Sequence, residues 1–107
     1  MTVVTLIGAG STVFAAELVT DFLATEPLES GQFRLVDIDA DRLALAHRFA
    51  EHLVERSGQS WTVASSTDRT ELLPGSDVVI STIEVAGLAT VGFDYDIPMR
   101  YGVDQCI

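Results

Sequence analysis

TVVTLIGAGSTVF, residues 2–14, decides how this chain is read. Its first six residues, Thr2 to Ile7, form a short apolar, β-branched run closed by glycine. That is the pattern of a strand buried on both faces. Gly8-Ala9-Gly10 then opens the turn G-x-G-x-x-G, but Val13 stands where the third glycine is expected. Each position of that turn has its own task. Gly8 permits the tight exit from the strand, and Gly10 lets backbone approach a pyrophosphate. Amides around Ser11 and Thr12, with the helix dipole, would then stabilise phosphate charge. The third glycine only brings helix and strand close together. Val13 is therefore expected to widen that packing without removing a phosphate donor.

Outward from this turn, hydrophobic periodicity changes from strand to helix and back. Residues 11–25 read as a helix with Phe14, Leu18 and Phe22 on one face and Ser11 available as its cap. Pro27 and Gly31 bound a loop, and residues 32–38 read as a second strand. Asp39 caps a helix from Ala40 to Arg56 whose apolar side carries Leu43, Ala46, Ala50 and Leu53, with Gly58 beyond its end. Residues 60–65 make a third strand, and Thr67 or Asp68 caps a short helix over residues 71–73. The run from Thr67 to Glu71 reads as capping chemistry that also stands where an adenine pocket would be. Pro74-Gly75 turns the chain into a fourth strand, residues 77–82. Residues 90–100 read as helical until Pro98 interferes. Strands and helices in strict alternation imply parallel pairing with right-handed crossovers, hence an α/β, Rossmann-like, doubly wound sheet. Four strands fall short of the six in a full dinucleotide fold, so the sheet is expected to be incomplete.

Asp37 strengthens the nucleotide reading. It ends the second strand, where this fold places a carboxylate that accepts from both hydroxyls of an adenosine ribose. Its charge would repel a 2′-phosphate, which favours NAD over NADP. The spacing from Gly10 exceeds the usual ~20 residues, and the loop at residues 26–31 accounts for the excess. Residues 81–88, STIEVAGL, leave the fourth strand on the rim where open α/β sheets bind ligands.

Composition excludes several classes. The formal net charge of −10 opposes nucleic acid or an anionic membrane as partner, since polyanions require clustered cations. All six cationic residues are arginine. One cysteine, Cys106, permits neither an internal disulfide nor a cysteine-based zinc site. His47 and His52 are five apart on a helix and diverge too far to hold one metal ion. A cytoplasmic compartment is the default expectation.

With those residues identified, the chain resembles the N-terminal part of glycoside hydrolase family 4, the NAD-dependent glycosidases. The resemblance runs through IGAGSTVF (7–14), LVDID (35–39), STDR (66–69), DVVISTIEVAGL (77–88) and IPMRYGVDQ (97–105). It implies that Gly8, Gly10, Ser11 and Thr12 form the pyrophosphate turn and that Asp37 holds the ribose. It further implies that Thr82, Ile83, Glu84 and Val85 pass beneath the nicotinamide. That family's turn reads G-x-G-S, so Val13 ceases to be an exception. Ala86 replaces a second glycine that the family carries beside Gly87. Phospho-sugar members carry an arginine after the fourth strand; residues 84–89 have none, which points to an unphosphorylated glucoside or uronide. The resemblance implies cleavage of glycosidic bonds by oxidation at C3 and elimination, using NAD and a divalent metal, usually manganese. The metal ligands and the base of such enzymes lie beyond residue 107. Residues 1–107 are therefore expected to be a truncated NAD-binding domain, inactive alone, of a protein that forms homo-oligomers when full length. Two other readings share the fold: a free-standing NAD-binding regulatory domain, and a fragment of a lactate or malate dehydrogenase relative.

Overall fold

A computed structural model describes residues 1–83 and 87–104, and for Thr12 its backbone alone. The elements alternate as expected: β1 (Thr2–Ile7), α1 (Thr12–Ala24), β2 (Ser30–Val36), α2 (Ala40–Ser57), β3 (Ser60–Ser66), α3 (Arg69–Leu72), β4 (Val78–Ser81). A 3₁₀ turn, Gly87–Thr90, precedes α4 (Val91–Arg100). The four strands form one sheet in the order β3-β2-β1-β4, and each pair is parallel. The register runs Thr2 opposite Gly31 to Ile7 opposite Val36, and Val4 opposite Val78 to Ile7 opposite Ser81. No helix among the described residues is long and apolar enough to cross a membrane.

Side-chain alternation along the strands assigns the two faces. Val4, Leu6, Phe33 and Leu35 point into one core with α1 and α2. Thr5 and Arg34 point the other way, toward the end of α3. There Arg34 donates to the Leu72 carbonyl at 2.8 Å and to that of Pro74 at 2.6 Å. Phe33, wholly buried, stacks on Trp61 with centroids 4.4 Å apart and meets Phe22 edge-on at 6.1 Å. The Trp61 indole N–H donates to the Leu28 carbonyl at 3.2 Å, so burying the ring leaves no orphan donor. Asp39 caps α2 as expected, accepting from the amides of Asp41 and Arg42, and Gly58 ends it at φ 69°.

Several local expectations are corrected. The buried stripe of α1 is Ala15, Val19 and Leu23, while Phe14 is exposed. Leu18 and Phe22 flank that stripe, only partly buried. α1 is apolar around most of its circumference, so periodicity alone could not fix its rotation; the exit angle of the glycine turn does. Val13 is two-thirds exposed, at 66%, and so does not hold α1 off the sheet. Ser11 occupies the cap position of α1, yet its side chain makes no capping bond. Of the two candidate caps for α3, Asp68 serves. Pro98 lies inside α4 and does not stop it. It sits in the last turn, where one lost amide bond and a clash with the Asp94 carbonyl are locally absorbed. Carbonyls of Pro98 and Met99 then accept from Tyr101, Gly102 and Val103.

Candidate functional site

β1 feeds α1 and β2 on one side of itself, whereas β4 arrives on its other side. The connections therefore diverge at the C-terminal end of β1, where open α/β sheets leave a crevice. Here that crevice measures about 940 Å³, with Gly8, Ser11, Asp37, Arg42, Arg69 and Thr82 among its lining residues. Its size is at the upper end of small-molecule sites.

Gly8 makes the exit from β1 at φ 92°, a conformation that disfavours side chains. Its amide and that of Ala9 both donate to the Val36 carbonyl, at 2.8 and 3.1 Å. The Ser11 amide turns back onto the Gly8 carbonyl at 3.1 Å. The Gly10 amide donates to Asp37 Oδ2 at 2.8 Å. All four amides from Gly8 to Ser11 thus hold the turn itself. Among the described residues, the amides of Val13 and Phe14 have no acceptor. Of the amides expected around Ser11 and Thr12, that of Ser11 is thus engaged within the turn.

Gly10 has a second reason to be glycine. A Cβ there would stand 2.6 Å from Asp37 Oδ2 and 3.0 Å from the Cβ of Arg42. The missing methyl makes room for a carboxylate, and through it β2 and α2 close on the turn. Asp37 itself lies one residue beyond β2 and is half-buried. Its second oxygen, Oδ1, accepts from the Asp39 amide at 2.9 Å. A carboxylate has about four acceptor positions, so among the described residues each oxygen keeps one unused.

Thr82 ties the end of β4 to the same turn. Its amide donates to the Ile7 carbonyl at 2.9 Å, and its hydroxyl lies 3.3 Å from the carbonyls of Ile7 and Gly8. Ile83 is exposed on the crevice wall. Glu84, Val85 and Ala86 lie outside the described residues, as does Cys106. Gly8, Gly10, Asp37 and Thr82 are therefore joined by hydrogen bonds or close contact, with Ser11 beside them.

Arg42 and Arg69 complete the rim. Arg69 lies within the run already suspected of bordering an adenine pocket. Arg42 stands outside the apolar positions of α2, Leu43, Ala46, Ala50 and Leu53, by which the sequence marks that helix. Its position in the first turn after the β2 exit was the available signal, because that turn always faces the strand ends. Asp68 caps α3 beside Arg69. The Thr70 hydroxyl, then the Thr70 amide and the Arg69 charge, hold its carboxyl below the ordinary value. His47 and His52 are not paired: His47 bridges Ser65 at 2.8 Å and Glu51 at 3.1 Å, and His52 is exposed. Among the described residues no three His, Cys, Asp or Glu side chains converge to hold a metal ion.

The family model described as "Family 4 glycosyl hydrolase" matches residues 3–107. The chain belongs to that family. Among curated relatives of this family 4 chain, an alpha-galactosidase of Bacillus subtilis (strain 168) is 42% identical over 106 residues. An alpha-galactosidase of Rhizobium meliloti (strain 1021) is 36% identical over 104 residues. Each match covers 97% of this chain, but only 24% and 21% of the relative. The family 4 chain thus spans about a quarter of the length of the proteins it matches. The 6-phospho-beta glucosidase of Thermotoga maritima, solved with NAD and glucose-6-phosphate, superposes with a TM-score of 0.73 at 25% identity. That match covers 96% of this chain and 24% of the other. A 6-phospho-alpha-glucosidase from gut microorganisms, solved with NAD and Mn2+, shares the fold with a TM-score of 0.71 at 24% identity, covering 97% of this chain and 24% of that one.

Proposed function

We propose that this chain is the NAD-binding part of a family 4 glycosidase, and that its crevice holds the dinucleotide across the end of β1. The observation that carries this is the joint geometry of the turn: amides of Val13 and Phe14 without an acceptor among the described residues at one end, and an anchored carboxylate, Asp37, at the other. Backbone amides at a helix N-terminus stabilise a diphosphate by direct donation and by the helix dipole. The open lone pairs of Asp37 suit the two hydroxyls of the neighbouring ribose. Because Gly10 and Asp39 already fix the carboxylate, little side-chain entropy remains to be lost on binding. Thr82 holds the β4 exit against Gly8 and so sets the floor of the crevice toward the other half of the ligand.

When bound, NAD supplies the acceptor and later the donor of a hydride. What this chain contributes is binding and orientation, which is the usual division of labour in cofactor enzymes. The described residues do not fit a metal site, and we assign none to them. The metal ligands and the base that act on the sugar belong, in this reading, to the rest of the length that the relatives have. For the substrate we propose an unphosphorylated glycoside. The names of the two alpha-galactosidase relatives and the lack of arginine in residues 84–89 support it.

The test is to express the protein at the length of its relatives and follow release of nitrophenol from nitrophenyl α-galactoside. Turnover should require added NAD and should not be restored by NADH alone. Undiminished hydrolysis after complete removal of NAD would reject the proposal.

A further inference from the structure

Away from the crevice, α1 and α2 leave between them a hollow of about 290 Å³. Leu35 of β2 lies at its floor, and Ala15 and Ala16 of α1 line it together with Ala46 and Ala50 of α2. Alanines on both helices are too short to close the seam above the sheet, so it stays open. Protein interiors hold few voids larger than a water molecule. An ordered water needs two to four polar partners, and the side chains lining this hollow are apolar throughout. Something apolar is therefore needed to fill it. Leu45 and Phe49, also in the lining, are half exposed, at 50% and 49%. One face thus carries a hole and, beside it, two knobs of the kind that fill such holes.

We infer that this face joins two copies of the protein about a two-fold axis along the seam, Leu45 and Phe49 of each copy seated in the hollow of the other. Three observations select a second copy over any other occupant. First, a two-fold contact requires a surface complementary to itself, and here hole and knobs share one face. Second, the chain carries a net charge of −10, so two copies repel wherever their acids meet. Among the described residues no charged side chain lines the hollow. Its exposed flanks differ: α1 presents the acids Glu17 and Asp21, and α2 presents Arg48 and Arg56 alongside Asp41 and Glu55. An axis along the seam lays the acidic flank of each copy over the mixed flank of the other. Third, the size is right. α1 and α2 have 13 and 18 residues, hence about 20 and 27 Å of length at about 1.5 Å per residue. Side by side at a spacing of about 10 Å, they present a surface on the order of the ~800 Å² that each partner of a stable dimer contributes.

The experiment is analytical sedimentation of the protein expressed at the length of its relatives, so that its other surfaces are present to compete. Phe49→Glu keeps a good helix former at a half-exposed site and sets a charge in the hollow. It should halve the mass of the assembly at concentrations where the unaltered protein is fully associated. The dissociation constant should rise about a hundredfold, the scale of losing a central aromatic anchor, while NAD affinity and the far-ultraviolet spectrum stay as they were. Ala16→Phe fills the hollow from within. It should weaken association about tenfold or more without lowering the urea midpoint. An unaltered protein that stays monomeric, its groove covered by its own further length or by nothing, overturns the inference. So does an assembly whose mass neither variant changes, since it would be built on another face. Should Phe49→Glu fail to fold, Ala16→Phe decides alone, and association undiminished with the hollow filled overturns the inference. None of these outcomes bears on the NAD reading, which the hydrolysis test decides separately.

Discussion

Gly31→Ala should destabilise the chain by about 3 kcal/mol or more, a large part of what a domain this small possesses. Gly31 lies in β2, opposite Thr2 on one side and Trp61 on the other. An added Cβ would stand 2.5 and 2.6 Å from two atoms of the Trp61 ring, and would also strike the Thr2 carbonyl. An alanine methyl has no rotamer with which to escape. The ring cannot yield cheaply, because it stacks on Phe33 and is pinned to the Leu28 carbonyl. Either β1 and β2 part, or the Trp61–Phe33 stack is lost. Overpacking alone costs about 1–3 kcal/mol, and displacing an aromatic from the core adds to that. Urea unfolding followed by fluorescence of the chain's only tryptophan checks it. Gly92→Ala in α4 is the control, since nothing lies within 4 Å and its φ is not positive. It should be neutral or stabilising by a few tenths of a kcal/mol. Equal midpoints for Gly31→Ala and the unaltered chain would mean that the described packing around Trp61 is wrong.

Asp37→Ala should weaken NAD binding about a hundredfold while lowering stability by only about 1–2 kcal/mol. The binding loss has two sources. The ribose hydroxyls lose a charged acceptor, and the Gly10 turn loses the carboxylate that holds it at 2.8 Å. The smaller stability loss comes from the Gly10 and Asp39 amides, which must find water instead. Calorimetry with NAD and urea melts on the same variant separate the two effects. An affinity within twofold of the unaltered chain would remove Asp37 from the ligand's contacts.

Much of this was legible in the sequence, for identifiable reasons. Element order followed from β-branched runs alternating with helical spacing, and the Asp39 cap and Gly58 stop obey local chemistry. Gly8 could be placed because a glycine closing a strand before a helix signals a positive φ. What could not be read is whatever depends on long-range geometry. The rotation of α1 is set by its entry angle, so Ala15, Val19 and Leu23 are buried while Phe14 is not. The role of Gly10 as a seat for Asp37 joins residues 27 apart in sequence. Likewise, which amides of the turn remain open depends on Val36 and Asp37 supplying acceptors to the others. The same distance hid Arg42, an ordinary charged helix position until β2 and β1 are brought side by side.

The most direct test of the central claim is an amide chemical-shift titration of the chain with NAD. Saturable shifts should be largest at Gly10, Val13, Phe14 and Asp39, the amides of the glycine turn, of the open end of α1 and of the Asp37 clamp. A titration that left these four amides still, or moved residues remote from the ends of β1 and β2 instead, would contradict it.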